Sequence, residues 1–129
     1  MTAVRDKTGA EPLPTGASAL LCALDQQQIA YTLYEHEPVF TVAESEKLDI
    51  DIPGLHCRNL FLRDKKKNNY LVVAANHTMI DLKKLPGLIG AGRLSFGSAE
   101  RLWQYLGVRP GSVCPFAVIN DRDGAVNII

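Results

Sequence analysis

The sequence predicts an α+β domain built around a mixed β-sheet. The strand candidates occur in pairs joined by turns, and the helical segments do not alternate strictly with strands, as they would in a doubly wound parallel fold. The chain has 129 residues, 47% hydrophobic and 22% charged, which suffices for one domain with a hydrophobic core but not for two. We expect a flexible lead-in over residues 1–16, rich in Gly and Pro, and one domain over residues 17–129.

Helical and extended segments alternate irregularly in the first part of this domain. Apolar residues at helical spacing predict a helix over residues 18–29, and the alternation of residues 31–35 predicts a short strand. Pro38 interrupts regular structure because it disfavours a helical residue before it. Residues 41–48 then predict a second short helix.

A β-hairpin is predicted near the middle of the chain. Residues 59–64 and 70–75 are apolar strand candidates, and the five residues between them are three lysines followed by two asparagines. Asparagine tolerates positive φ, which suits a tight turn. The hairpin should therefore carry a basic tip.

The last part of the chain predicts further helices and a second strand pair. Ser98 is a candidate N-cap for a helix that runs to Leu106 and ends at Gly107. The other expected elements are short helical pieces over residues 81–85 and 86–89, strands over residues 113–120 and 125–129, and a turn over residues 121–124.

A net charge of zero hides an uneven distribution of charged residues. Residues 1–57 hold 3 basic and 9 acidic side chains, residues 58–109 hold 10 and 3, and residues 110–129 hold 1 and 2. Because salt screens each charge to its neighbourhood, a local basic face attracts a polyanion even on a neutral molecule. The alternative is that the lysine run only keeps a hairpin turn soluble.

Several classes of protein and site are disfavoured. No apolar run is long enough to cross a bilayer and residues 1–14 lack an apolar signal core, so we expect a soluble, cytoplasmic protein. The three cysteines and three histidines match no disulfide framework and no metal-ligand spacing. We expect no metal and no cofactor.

Two Gly-rich segments are candidates for contact with a ligand. Residues 107–116 contain two Gly and two Pro, so this loop either presents backbone N–H groups to a pocket or simply joins a helix to a strand. Residues 90–97 lack the dinucleotide-binding pattern. They either hold a phosphate through Arg93 and backbone amides or turn the chain.

Five segments occur together in one order along the chain. They are HEPVFTVAE (36–44), RNLFLRDKK (58–66), IDLKKL (80–85), GAGRLSFG (90–97) and GSVCP (111–115). This set closely resembles the YbaK / prolyl-tRNA synthetase-associated editing-domain family, and within it the free-standing proteins that hydrolyse alanyl-tRNA mischarged on the tRNA for proline. The resemblance covers residues 17–129.

The resemblance implies a fold, an activity and a set of site residues. The fold would be a mixed, partly barrel-like sheet flanked by helices, and the activity would be an aminoacyl-tRNA deacylase acting in trans on aminoacyl-tRNA of the proline tRNA, with prolyl-tRNA synthetase as a further candidate partner. The implied catalytic residues are Arg58 and Asn59. The implied aminoacyl pocket consists of His36, Phe40, Gly111, Ser112, Val113, Cys114 and Pro115, and the implied tRNA contacts are Lys65, Lys66, Lys67, Lys83, Lys84 and Arg93.

Two departures from the family pattern open an alternative. Arg58 stands where the family has a Lys, and Arg keeps the positive charge but cannot lose a proton near neutral pH. Family members usually continue past the position of Ile129 with a further strand, a His-Pro loop and a helix. The expected domain is therefore either truncated at its C-terminus or short of one pocket wall. The alternative function is a catalytically weakened module that binds tRNA or the synthetase without hydrolysis.

Overall fold

The computed structural model describes residues 12–35 and 52–129, and the chain divides into two compact units, Met1–Ile52 and Pro53–Ile129. In the first unit, helix α1 covers Ala17–Gln26 and buries Leu24. Its first turn is closed by the Leu20 amide, which donates to the Gly16 carbonyl at 3.0 Å. The helix predicted from residue 18 is confirmed, although it ends before residue 29.

The strand predicted over residues 31–35 is wrong. These residues have no regular secondary structure and are exposed, including the apolar side chain of Leu33. Alternating apolar residues form a strand only when a neighbouring strand takes up the backbone N–H and C=O groups, and the described residues provide none here. The helix predicted over residues 41–48 lies outside the described residues.

In the second unit, the predicted hairpin is confirmed. Strand β1 (Cys57–Asp64) pairs antiparallel with strand β2 (Asn69–Ala75), so that Leu62 faces Tyr70. The turn closes through the Asp64 amide, which donates to the Asn68 carbonyl at 3.0 Å, and it requires a positive φ of 70° at Lys67. We call Lys65, Lys66 and Lys67 the basic turn; all three side chains are exposed.

Four described strands form one mixed sheet in the order β3-β1-β2-β4. Strand β3 (Leu94–Phe96) is antiparallel to β1, and strand β4 (Val126–Ile128) is parallel to β2. The α+β class with a mixed sheet is confirmed. Within the described residues the sheet is open and does not close into a barrel.

Each face of this sheet has its own hydrophobic core. One face, which we call the Phe61 face, packs Phe61 and Leu71 against Leu102 and Leu106. The opposite face, the Leu62 face, packs Leu62 with other buried side chains of the sheet. Because successive side chains of a strand point to opposite faces, this division assigns every residue of β1 to one face of the sheet or the other.

The helices of the second unit cover these cores. Helix α2 (Leu85–Ile89) lies beside the Leu62 core, and helix α3 (Ala99–Leu106) buries Leu102 and Leu106 in the Phe61 core. Burial of each leucine contributes about 1.5–3 kcal/mol. The predicted Ser98 cap is confirmed, since its hydroxyl oxygen accepts the Arg101 amide at 3.2 Å. Gly107 ends α3 in the left-handed conformation, with φ 62°.

The strand predicted over residues 113–120 is wrong, because residues Pro115–Asn120 form a 3-10 helix. Pro115 has its φ fixed near the helical value and lacks an N–H, so it suits the first turn of a helix. Ala117 then packs into the Phe61 core. Strand β4 consequently pairs with β2, and the turn before it does not join two strands of a hairpin.

Candidate functional site

Arg58 and Asn59 are adjacent in β1 but project from opposite faces of the sheet. Asn59 alternates with Phe61, so it lies on the Phe61 face, and Arg58 lies with Leu62 on the other face. Both side chains are half-buried. The two predicted catalytic residues therefore do not line one common surface. Their catalytic roles stay predictions, and the surroundings of each are described separately below.

The Arg58 guanidinium is partly occupied by the protein itself. Its Nη2 donates to the carbonyl of Thr78, in the segment that follows β2. Its Nε is buried and has no acceptor within the described residues. A buried donor without an acceptor is uncommon in folded proteins, so this N–H is available to a bound oxygen atom.

Two asparagine side chains close to this strand end also have unused acceptors. The Oδ1 atoms of Asn59 and Asn76 are buried and receive no hydrogen bond from any described residue. Asn76 follows β2, and its amide donates to the His56 carbonyl at 3.0 Å, which extends the pairing beyond β1. The open end of the hairpin therefore has one unused donor and two unused acceptors, with those of Arg58 and Asn59 on opposite faces of the sheet.

The Gly-rich loop of residues 111–115 lies on the Phe61 face, the same face as Asn59. Val113 and Cys114 pack against the Phe61 core, while the loop's other residues are exposed. Gly111 has φ 94°, a conformation that favours glycine. Part of the predicted pocket and one predicted catalytic residue thus lie on the same face of the sheet.

Two contacts hold the start of this loop. The Arg109 guanidinium carbon lies 4.2 Å from the centroid of the Trp103 ring, and the Arg109 carbonyl accepts the Ser112 amide at 3.0 Å. No described backbone carbonyl accepts a hydrogen bond from the amides of Gly111, Val113 or Cys114. Three backbone donors in one short loop can bind an anionic oxygen.

A buried carboxylate stabilises the basic turn from beneath. Asp64 is 5% exposed. Its Oδ1 accepts the Asn68 amide at 2.8 Å, and its Oδ2 accepts the Gly92 amide at 3.0 Å and the Asn68 side-chain nitrogen at 3.2 Å. Burial alone raises the pKa of a carboxyl group, but the hydrogen bonds from Gly92 and Asn68 outweigh it and hold the pKa of Asp64 below its ordinary value. Asp64 is therefore ionised at neutral pH.

The predicted tRNA-binding residues fall into two groups. Arg93 lies next to the basic turn, because its carbonyl accepts the Lys65 amide at 3.0 Å. Lys83 and Lys84 lie in the turn before α2, where the Asp81 side chain accepts the Lys83 amide at 2.9 Å. All of these basic side chains are exposed. The prediction that they contact tRNA is not tested by their positions.

Two predicted pocket residues, His36 and Phe40, lie outside the described residues. The sequence reasoning missed Asp64, Asn76 and Thr78. Asp64 had a detectable signal, since an Asp at a strand end followed by Asn is typical of a turn held by side-chain hydrogen bonds. The roles of Asn76 and Thr78 depend on strand pairing, which the local pattern does not specify.

The described residues show neither a metal-binding cluster nor a membrane-spanning helix. The described ranges, 12–35 and 52–129, contain no group of three or more His, Cys, Asp or Glu residues placed to hold a metal ion. Within the same ranges, no helix has the length and apolar character to cross a membrane.

The sequence model of the aminoacyl-tRNA editing domain family matches residues 36–129, which include β1, the basic turn and the loop of residues 111–115. The chain belongs to this family. The resemblance inferred from the five segments is thereby confirmed at the family level. The matched region contains every described residue that the sequence assigned to the site.

Relatives with curated names are similar over most of the editing domain. The chain is 46% identical over 112 residues to the prolyl-tRNA editing protein ProX of Acetoanaerobium sticklandii, covering 86% of this chain and 68% of that protein. It is 36% identical over 118 residues to prolyl-tRNA synthetase associated domain-containing protein 1 of Bos taurus, covering 85% and 68%. The Danio rerio protein of that name is 33% identical over 106 residues, covering 82% and 58%.

A solved structure supports the fold. The crystal structure of hypothetical protein APE2540 superimposes with a TM-score of 0.65 at 18% identity, covering 84% of this chain and 70% of that one. At this identity the likeness establishes the α+β fold alone.

Proposed function

We propose that this protein hydrolyses mischarged aminoacyl-tRNA in trans, and that its substrate is alanyl-tRNA of the proline tRNA. The observation that carries the proposal is membership of the aminoacyl-tRNA editing domain family over residues 36–129. The 46% identity to a protein named for prolyl-tRNA editing supports the choice of tRNA. Prolyl-tRNA synthetase as a partner and a cytoplasmic location belong to the same proposal.

Alanine as the aminoacyl group has a physical basis. In a synthetase pocket shaped for proline, each missing methylene group weakens binding of a competing amino acid by only about 1–3 kcal/mol. Such a pocket therefore cannot exclude the smaller alanine by binding alone. A second site that admits alanine and excludes proline by size removes the error. Such a site needs a small cavity lined by backbone, as a Gly-containing loop can provide.

The loop of residues 111–115 is the proposed binding site for the ester. Hydrolysis of the ester by water produces a negatively charged oxygen at the carbonyl carbon in the transition state. The amides of Gly111, Val113 and Cys114 would donate hydrogen bonds to that oxygen. Water acts as the nucleophile, and the tRNA leaves through its terminal ribose hydroxyl.

Asn59 would hold the amino group of the aminoacyl moiety. It lies on the same face as the loop, and its buried Oδ1 has no donor among the described residues. An unpartnered buried acceptor is costly, and the α-ammonium of an amino acid supplies the donors that it lacks. This contact would fix the ester relative to the loop amides.

Arg58 would hold the 3′-terminal nucleotide where it passes around the open end of the hairpin, because its guanidinium lies on the face opposite the loop. Its Nη2 is engaged by Thr78, which orients the guanidinium, and its buried Nε remains available for a phosphate or ribose oxygen. The basic turn, Arg93, Lys83 and Lys84 would then contact the phosphate backbone further along the tRNA.

A specific observation favours a second function, binding without hydrolysis. Arg58 occupies the position of the family's Lys, and its guanidinium is already bound to the Thr78 carbonyl. If catalysis requires a compact ammonium that can move, this arrangement would bind tRNA but hydrolyse it slowly.

Deacylation of three charged tRNAs distinguishes these functions. The proline tRNA charged with alanine, cysteine or proline is incubated with the protein, and loss of each ester is followed beside a protein-free control. We expect rapid loss of alanine, slower loss of cysteine and no acceleration for proline. Binding of all three tRNAs without accelerated loss of any ester would support the binding module, and preferred loss of proline would contradict the size argument.

A further inference from the structure

Two basic segments that are distant in sequence meet at one buried side chain. The basic turn joins β1 to β2, and Arg93 precedes β3. Between them lies the Asp64 carboxylate, which accepts the amide of Asn68 from the turn side and the amide of Gly92 from the Arg93 side. A direct backbone contact joins the same segments, from the Lys65 amide to the Arg93 carbonyl at 3.0 Å.

The chemistry of this contact leaves the cationic groups available. Within the described residues, the groups that hydrogen-bond the Asp64 carboxylate are the backbone amides of Gly92, Asn68 and Lys66, the side-chain nitrogen of Asn68 and the hydroxyl of Tyr70. None of these groups is a cationic side chain. The lysines of the basic turn and Arg93 are exposed. The carboxylate thus fixes the backbone of both segments while their positive side chains face solvent.

We propose that Asp64 is a positioning residue that holds the basic turn and Arg93 together as one preorganised surface for an RNA phosphate backbone. Assignment of that RNA to tRNA rests on the function proposed above. Fixing both segments before binding reduces the conformational entropy lost when the phosphates bind. The Asp64 side chain itself does not touch the RNA.

Replacing Asp64 with Asn distinguishes a positioning role from a purely electrostatic effect. The two hypotheses predict changes of opposite sign in the affinity for RNA. Asp64→Asn removes a negative charge beside a phosphate-binding surface, so charge alone would strengthen RNA binding. Asn also turns part of the acceptor into an NH2 donor, which cannot accept the amides of Asn68 and Gly92 in the same way. If Asp64 positions the surface, binding weakens despite the added positive charge.

The test measures binding of uncharged proline tRNA transcript to the wild-type, Asp64→Asn and Asp123→Asn proteins over a salt series. Asp123 is an exposed carboxylate in the turn before β4, so its variant is the control for the same change in net charge. For Asp64→Asn we expect roughly eightfold weaker binding near 0.1 M salt for each phosphate that the variant no longer binds, and a salt slope less steep by about 0.7–0.9. In deacylation, KM should rise while kcat stays constant, a split that general destabilisation would not produce.

A second pair of variants tests the hydrogen bond from the Gly92 amide to Asp64 without changing any charge. An added Cβ at Gly92 would lie 3.6 Å from the Asp64 Oδ2 and 3.7 Å from Lys65, which is ordinary contact, so Gly92→Ala should bind RNA like the wild type. Gly92→Pro also fills this space but removes the N–H that donates to Asp64. It should weaken binding as Asp64→Asn does, which keeps the test decisive if Asp64→Asn fails to fold.

The outcomes separate the two proposals. Binding by Asp64→Asn or Gly92→Pro that equals or exceeds its control would overturn the positioning role, as would a wild-type protein that binds no RNA. A wild-type protein that binds tRNA but hydrolyses no ester would refute the proposed deacylase and leave the positioning role standing if the variants still bind more weakly.

Discussion

Replacing Gly111 with Ala tests whether the loop of residues 111–115 forms part of the aminoacyl site. Gly111 has φ 94°, and no heavy atom of the described residues lies within 4 Å of a Cβ added there. The substitution therefore strains the backbone without a clash inside the protein, at a cost of about 1–2 kcal/mol. For a unit of this size the melting temperature should fall by roughly 4–8 °C for each kcal/mol.

Gly124 provides a matched control for this strain. Its φ is 64°, and a Cβ added there also meets no heavy atom within 4 Å in the part of the chain that the structure describes. Gly124→Ala should lower the melting temperature to a similar or smaller extent, since the residue lies nearer the centre of the left-handed region. It should leave deacylation unchanged because it lies in the turn before β4.

The functional assay is single-turnover deacylation of alanyl-tRNA, run well below both melting temperatures. In Gly111→Ala the added methyl group would project into the space proposed for the substrate. Overpacking of about 1–3 kcal/mol corresponds to a rate loss between about fivefold and a hundredfold. Binding of uncharged tRNA should stay constant. Equal rate losses in the two glycine variants would refute the placement of the pocket and make Gly111 a turn residue only.

Four further variants test the other parts of the site. Arg58→Ala should slow deacylation by at least about tenfold, or about 1.4 kcal/mol, whereas Arg58→Lys should preserve or raise the rate; a loss in the Lys variant would show that the site depends on guanidinium geometry. Replacing all three lysines of the basic turn with Gln should weaken tRNA binding and make its salt slope less steep by up to about 2–2.7, with turnover at saturating tRNA unchanged; an unaltered salt series would assign the turn to solubility. Asn59→Leu removes a buried acceptor for which the described residues supply no donor. Thermal unfolding should therefore show stability kept or raised by about 1 kcal/mol, while deacylation falls. Full activity in this variant would exclude Asn59 from the site.

Local sequence signals correctly predicted the elements that are stabilised by contacts between residues close together in the chain. The hairpin of β1 and β2 and the capped helix α3 were predicted correctly, because Asn residues in the turn, Ser98 and Gly107 act on their immediate neighbours. Strand β3 was missed. It has three residues, and it is defined by pairing with β1, which lies about thirty residues earlier in the chain.

The prediction over residues 113–120 failed for a different reason. A short apolar run with β-branched residues fits a buried strand and a buried helical turn equally well. Tertiary packing of Ala117 against the Phe61 core decides between them, and the residue pattern does not contain that information. Pro115 was the one local sign of a helical turn.

For the site, the family pattern proposes Arg58 and Asn59 as catalytic residues but does not predict that their side chains project from opposite faces of the sheet. The alternation of side chains in a strand already required neighbouring residues to face opposite sides. The contribution of Asp64 was hidden because a carboxylate within a lysine-rich segment resembles part of a solvated charge run. Its burial depends on Gly92, which is far away in sequence.

Strand β1 also sets the distance between Arg58 and the basic turn. Arg58 lies near its first residue, and the basic turn begins immediately after its last residue, Asp64. At a rise of about 3.3 Å per residue, the strand separates Arg58 from Lys65 by roughly 23 Å. One nucleotide cannot reach both ends.

If the protein binds tRNA as proposed, this separation predicts that binding depends on the length of the RNA. An aminoacyl-nucleotide or a very short fragment would occupy the Arg58 end alone, and substitutions in the basic turn would not affect its binding. A longer acceptor stem would reach the turn as well, and from that length onward each further phosphate bound would lower the dissociation constant and steepen its salt dependence. The rigid strand would thus allow one small domain to favour an amino acid attached to a full tRNA over the same ester on a free nucleotide.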